Sequence, residues 1–231
     1  MAAALVGTAI FGSGGWRNAV VLLMFFLTST VLSHFGKERG AKRLLLAIGK
    51  TGARDGAQVL ANGGVAAGCA LAAMGGHAVW EVAFVGAIAA ATADTWGTEI
   101  GTLQSRPPRS MLTGKAVAPG LSGGVSLLGS LAELAGAIAL AAVSWAIQAA
   151  PVFLAVAAGG FAGALIDSLL GASVQALRYC RGCAAYCESD PHYCGADTTR
   201  VRGVAWITND TVNFFTTAAG AAIAAAIYLS R

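Results

Sequence analysis

The chain has 231 residues, 56% of them hydrophobic and 11% charged, with a formal net charge of +4 and a mean hydropathy of +0.68. Soluble domains carry about 25% charged residues, so the composition excludes a soluble domain, places the chain in a membrane and gives no reason to expect a nucleic-acid partner. The apolar segments follow one another closely, which predicts an all-α, polytopic helical bundle forming one integral membrane domain over residues 1–231.

Apolar runs near the ~20 residues needed to cross a bilayer predict helices at about 17–34, 57–75, 78–97, 122–148, 151–176 and 205–228. A shorter run at 2–12 would add a seventh, either spanning or packed within the bundle. Met1–Phe11 has no basic region and no clear cleavage site, so no signal peptide is expected. The 31 glycines and long alanine runs permit close helix contact in lipid. Thirteen of the 15 Lys and Arg residues fall in three alternate loops, 35–56, 98–121 and 177–204. The positive-inside tendency makes those loops cytoplasmic, with a bacterial inner membrane as the expected location.

Each predicted helix bordering these loops carries polar residues at that end, spaced for one face. They are Asp55, Gln58 and Asn62 in RDGAQVLANGG; Asp94, Thr95, Thr98 and Glu99 in ATADTWGTEIG; and Ser122, Ser126, Ser130 and Glu133 in SGGVSLLGSLAEL. Further along come Asp167, Gly171 and Gln175 in IDSLLGASVQ, then Asn209, Asp210 and Asn213 in WITNDTVNFF. Serine, asparagine and glutamine at such places also simply join helices, at about 0.6 kcal/mol each. Intramembrane carboxylates are costly unless paired or hydrated, and they point to function. The acids therefore predict one shared, water-accessible pocket, with Glu133 lying deeper as a structural partner.

Asp94, Glu99, Asp167 and Asp210, with Asn62, Asn209 and Asn213, offer hard oxygens. Such a set suits Mg²⁺, which takes one or two carboxylates and completes its shell with substrate phosphates. The loops supply Arg54, Arg106, Arg109, Lys115, Arg200 and Arg202 for phosphate oxygens. APGLSGGVS, residues 118–126, opens a predicted helix, and its glycines would let backbone N–H groups approach an anion. Acids, bases and a glycine-rich helix entry together describe phosphoryl chemistry with a metal.

Two short motifs are set aside. GKT at 49–51 matches the end of a phosphate-binding loop, but Leu44 stands where the earlier glycine is needed. LSGG at 121–124 is similar to a serine-nucleophile loop, yet His34, His77 and His192 are scattered. In the last basic loop Cys180, Cys183, Cys187 and Cys194 follow C-x2-C-x3-C-x6-C, with His192 between. On a reducing face this is compatible with a structural Zn²⁺ knuckle or with a loop of packed or free thiols. Cys69, alone in a helix, reads as a small core residue.

Taken in order, RDGAQVLANGG, ATADTWGTEIG, PGLSGGVSLLG, IDSLLGASVQ, the Cys-rich loop and WITNDTVNFF resemble the signature blocks of the transmembrane protein 19-like family, whose plant and cyanobacterial members include phytyl-phosphate kinase. The blocks run from about residue 54 to 217, and LSGG stands where Thr or Asn is expected before the glycine pair. The resemblance implies an integral membrane kinase that converts an isoprenyl monophosphate, such as phytyl or geranylgeranyl phosphate, to the diphosphate. CTP or another nucleoside triphosphate would be the donor, and the product would feed tocopherol, phylloquinone or chlorophyll synthesis in phototrophs.

On that reading Asp94, Glu99 and Asp167 are catalytic and, with Asp210, hold Mg²⁺. Asn62, Asn209, Asn213 and Gln175 orient phosphates or metal, while Ser122, Gly123 and Gly124 cradle a phosphate. Arg54, Arg106, Lys115 and Arg202 meet phosphate or transition-state charge. Two alternatives stay open: a transporter, which needs polar groups through the whole depth of the bundle, and a lipid cytidylyltransferase, which would release pyrophosphate. Oligomeric state is left open.

Overall fold

A computed structural model describes residues 1–38, 55–148 and 152–231. Among these, six helices are long and apolar enough to cross a membrane. They are α1 (Ala2–Glu38), α2 (Gly56–Ala73), α3 (Ala78–Gly101), α4 (Leu127–Gln148), α5 (Phe153–Ser173) and α6 (Asn209–Leu229). Leu23, Phe26, Leu27, Leu131 and Trp145 are exposed on the outside of the bundle. Such a surface suits lipid and would be an aggregation hazard in water.

The expected seventh segment is absorbed into α1. Residues 2–12 and 17–34 are two limbs of one 37-residue helix, broken at Gly15, where φ is 61° and ψ −145°. Only glycine reaches that conformation without strain. Other boundaries also move. Helix α3 runs on to Gly101 rather than 97, so Asp94 and Glu99 both sit on helical turns. Helix α4 starts at Leu127 rather than 122, because 124–125 pair as β2 (Gly124–Val125) with β1 (Arg109–Ser110). Helix α5 ends at Ser173 rather than 176, since Ala176 N–H donates to Ile207 O at 2.9 Å and Val174 O accepts from Val204 N–H at 2.9 Å. Those two bonds lace the end of α5 to the approach to α6. The Thr208 hydroxyl caps α6 by accepting from Thr211 N–H at 3.4 Å.

The region expected as a loop at 177–204 folds as an antiparallel sheet in the order β4–β3–β5. Its strands are β3 (Leu177–Cys180), β4 (Ala185–Cys187) and β5 (Thr198–Arg202). Cys180 pairs with Ala185 and Thr198, and Arg178 with Cys187 and Arg200. Thr198 N–H and Oγ1–H donate to Asp190 Oδ1 at 3.1 and 2.8 Å, and Arg178 reaches Asp190 Oδ2 at 2.5 Å. The Thr198 hydrogen bonds, aided by Arg178, hold the Asp190 carboxyl below the usual carboxylate range.

Helix α3 is the axis of the bundle and the most enclosed of the six. Its packing depends on bare backbone. A Cβ on Gly86 would lie 2.7 Å from Gly220 O, one on Gly159 2.7 Å from the same oxygen, and one on Gly163 2.6 Å from Ala90 Cβ. Helices α3, α5 and α6 therefore cross at near backbone contact, the small-residue packing that lipid favours. From Val82 to Ala91, α3 is apolar and fully enclosed. That stretch separates two polar regions: a small one around Asn18 and Glu81, and a large one at the basic-loop end.

Candidate functional site

At the basic-loop end the helix termini surround a cavity of about 420 Å³. Helix α2 and its cap contribute Asp55, Gln58 and Asn62, and the last turns of α3 contribute Asp94, Thr98 and Glu99. Helix α4 adds Glu133, α5 adds Asp167, and α6 adds Asn209, Asp210 and Asn213. The turn at 119–126 and Glu188, just beyond β4, close one side. Seven carboxyl groups thus line one cavity, and no Lys or Arg does so among the described residues.

Some acids are held by local donors. The Thr216 hydroxyl donates to Asp167 Oδ1 at 2.8 Å, and the Ser33 hydroxyl of α1 donates to Glu99 Oε1. Glu133 is buried with Oε2 unpartnered among the described residues, and it faces Asp167 closely enough for the two carboxylates to repel. It lies across α3 because residue 97 is glycine: a Cβ there would come within 2.5 Å of Glu133 Cγ. Asp55 and Asp210 form a second like-charged pair at the mouth. Seven carboxyl groups gathered around one cavity make it a candidate site for a cation. A hard divalent ion such as Mg²⁺ fits the oxygen donor set, and the orphaned Glu133 oxygen supplies a ligand position.

Of the residues singled out in the sequence, Asn62, Asp94, Glu99, Ser122, Gly123, Gly124, Asp167, Asn209, Asp210 and Asn213 line this cavity. Others are corrected. Glu133, expected deeper as a structural partner, also lines the cavity. In the Ser122–Gly124 turn, expected as an anion cradle, several donors are engaged within the protein. Ser122 N–H donates to Glu188 Oε1 at 2.6 Å, its hydroxyl to Glu188 Oε2 at 3.0 Å, and Gly124 N–H to Leu121 O at 3.2 Å. Gly123, with φ +78°, serves close approach: a Cβ there would lie 2.3 Å from Ala172 N.

Gln175 is buried behind the wall, where its amide donates to Ser122 Oγ at 2.9 Å and Glu188 Oε2 at 2.8 Å. Arg202 donates to Gly171 O at 2.9 Å, satisfying a carbonyl at the end of α5, and it does not line the cavity. Arg109 turns back to Gly114 O at 2.8 Å and Arg200 to Gly203 O at 3.0 Å. Arg106 and Lys115 are exposed on the loop outside the wall. Arg54 lies outside the described residues.

A second, apolar groove of about 490 Å³ lies between α2 and α6, lined by Leu60, Ala61, Gly64, Phe214 and Phe215. Asp210 borders both the groove and the acidic cavity. A charged chamber and a greasy slot therefore meet at one residue.

In the sheet, one ligand atom each of Cys180, Cys183, His192 and Cys194 lie within 4.8 Å of one another. The expected fourth thiol, Cys187, is not among them; it sits two positions along β4 from the partner of Cys180, and its sulfur reaches Ser189 O at 3.8 Å. Backbone hydrogen bonding by Ala196 N–H pushes the Cys194 thiol down, while hydrogen bonding with Cys194 pushes Cys183 up to about 11.

The family model for the integral membrane protein family DUF92 matches residues 1–221. The chain belongs to the DUF92 family. The signature blocks read in the sequence fall within this same family of integral membrane proteins. The chain is 31% identical to Protein PGR of Arabidopsis thaliana over 230 residues, covering 87% of this chain and 78% of the relative. It is 30% identical to an uncharacterized membrane protein of Methanocaldococcus jannaschii, over 73% of this chain and 71% of the relative. An uncharacterized membrane protein of Synechocystis is 27% identical over 96% of this chain and 78% of the relative. No solved structure matches.

For this DUF92 protein the sequence reading missed Glu188 altogether. A carboxylate in an exposed Cys-rich loop gives no sign that a sheet will turn it inward onto Ser122. Glu133 did carry a signal, an acid inside an apolar helix, and it lines the cavity with the other acids.

Proposed function

We propose that this protein is a Mg²⁺-dependent phosphotransferase, moving a phosphoryl group from a nucleoside triphosphate, CTP first among the candidates, to an isoprenyl monophosphate such as phytyl or geranylgeranyl phosphate. The observation that carries it is the acidic cavity opening beside an apolar groove at Asp210. An amphipathic substrate fits that junction, with its tail among Leu60, Phe214 and Phe215 and its phosphate at the acids. Phosphates cannot enter a chamber of carboxylates without cations, so the metal is what makes donor and acceptor compatible with it. The choice of kinase and of isoprenoid rests on the family resemblance.

Asp94, Asp167 and Glu133 form the inner ligand group, with Glu99, Asp210 and Asp55 nearer the mouth. Mg²⁺, when bound, neutralises the phosphate oxygens and the charge of the transferring group. Thr216 and Ser33 fix the carboxylates of Asp167 and Glu99. Asn209 and Asn213 present amides to the same space. An acceptor phosphate is already largely ionised at neutral pH, so positioning is the main task of these residues. The basic loops Arg106, Lys115 and Arg200 lie outside the cavity and serve to gather nucleotide at the cytoplasmic face.

Transport is disfavoured by the enclosed apolar stretch Val82–Ala91, about 15 Å of the central helix α3 without a polar side chain. The test is purified protein in detergent with Mg²⁺, phytyl or geranylgeranyl phosphate and each nucleoside triphosphate in turn. Lipid diphosphate with the matching nucleoside diphosphate supports the proposal. A cytidylyl-lipid with pyrophosphate, or no lipid product from folded protein, overturns it.

A further inference from the structure

We infer that the β3–β4–β5 sheet is a zinc knuckle with a Cys₃His ligand set, Cys180, Cys183, His192 and Cys194, and that this ion holds the wall of the acidic cavity in place. The spacing C-x2-C-x8-H-x-C departs from the four-cysteine set suggested by the sequence, and the geometry selects it. Cys180 Sγ lies 3.7 Å from Cys194 Sγ, and His192 Nδ1 lies 3.1 Å from the same sulfur. Ligands of a tetrahedral zinc, at about 2.3 Å for sulfur and 2.0 Å for nitrogen, sit at such mutual distances. Two tight turns build the set. Cys183 belongs to the β3–β4 turn, which needs a positive φ of 51° at Ala184. In the second turn His192 N–H donates to Ala196 O at 3.0 Å, and Gly195 N–H to His192 O at 2.8 Å, bringing His192 and Cys194 to one side.

Burial supports the assignment. Cys180 is fully buried and His192 is 2% exposed, although the sheet is small and has almost no apolar core of its own. Buried thiol and imidazole groups in so thin a layer find their compensation in a metal, which supplies folding free energy that the core cannot. Softer sulfur donors select zinc over the hard cation suited to the carboxylate cavity. Glu188 follows β4 directly and holds Ser122 through both carboxylate oxygens. The knuckle thus fixes the position from which Glu188 grips the cavity turn.

The test uses the full chain expressed with zinc and purified in detergent without chelators. About one zinc per chain with a shell of three sulfurs and one nitrogen by X-ray absorption is expected. Cys183→Ser and His192→Asn should each lose zinc at least about tenfold more readily to a chelator, whereas Cys187→Ser should match the wild type. Iron in place of zinc, less than about a tenth of an equivalent of metal against the one expected, or a four-sulfur shell would overturn the assignment. So would a native Cys180–Cys194 disulfide found by alkylation and mass spectrometry. The wild-type absorption spectrum decides the question even if a variant fails to fold. None of these readouts depends on the lipid kinase reaction.

Discussion

At the scale of single residues, the cavity sets carboxylates against one another and leaves Glu133 Oε2 without a donor among the described residues. On the proposed reading a bound cation would offset that repulsion. Asp94→Asn and Asp167→Asn keep the size of each side chain and remove one charge, so the bundle should still insert and fold. Each is expected to lower kcat by about a hundredfold or more in the lipid diphosphate assay. Full activity in both would remove the metal assignment. Thr216→Val separates positioning from ligation. It deletes the donor to Asp167 at nearly constant volume, and it should raise the Mg²⁺ concentration for half-maximal rate about tenfold while leaving kcat at saturating Mg²⁺ close to wild type. Asp94, Glu99 and Asp167 were legible because acids in apolar helices are rare enough to announce themselves. The SGG turn is ambiguous in sequence because glycine marks close approach of any backbone, and here Gly123 meets α5. Lys115, Arg106 and Arg202 misled because loop charges have many partners, and in the case of Arg202 a helix-end carbonyl took it.

At the scale of elements, the spacing of apolar runs placed the spanning helices well and missed their ends. Segment 2–12 merged with its successor because glycine can kink a helix without ending it. The sheet at 177–202 was illegible as strands because its short segments alternate Cys, Arg and Thr without a strong apolar face. Its order comes from tertiary bonds such as those of Thr198 and Arg178 to Asp190. The crossing of α3, α5 and α6 gives the sharpest stability prediction. A Cβ at Gly220 would lie 2.6 Å from Ala90 Cβ and 2.7 Å from Gly86 O. Gly220→Leu should therefore destabilise the bundle by about 1–3 kcal/mol or more, read as a lowered unfolding temperature in detergent. Gly64 is the contrasting case, since nothing lies within 4 Å of its Cβ position and it borders the apolar groove. Gly64→Leu should fold normally and raise KM for geranylgeranyl phosphate about tenfold through a blocked tail site. KM for a short isoprenyl phosphate should hardly change, and an equal rise for both would remove the groove from the substrate path.

At the scale of the whole molecule, function depends on which side of the membrane the cavity opens. The basic loops 98–121 and 177–204 border it, and the proposed reading takes them by charge bias as the cytoplasmic side, where nucleoside triphosphates and a reducing environment for the knuckle thiols would both be found. The turn between α2 and α3 lies at the other end of the bundle, beyond the enclosed apolar stretch of α3. Ser105 is exposed on the first of these faces and Met74, 66% exposed, on the second. Single substitutions Ser105→Cys and Met74→Cys, treated with a membrane-impermeant maleimide on intact cells and read by peptide mass spectrometry, report the orientation directly. Met74→Cys should be labelled and Ser105→Cys protected until the membrane is opened. The reverse pattern would turn the acidic cavity away from the cytoplasmic nucleotide pool and place the cysteines where disulfides form. It would then sink the kinase proposal on supply of its donor alone, whatever the geometry of the carboxylates.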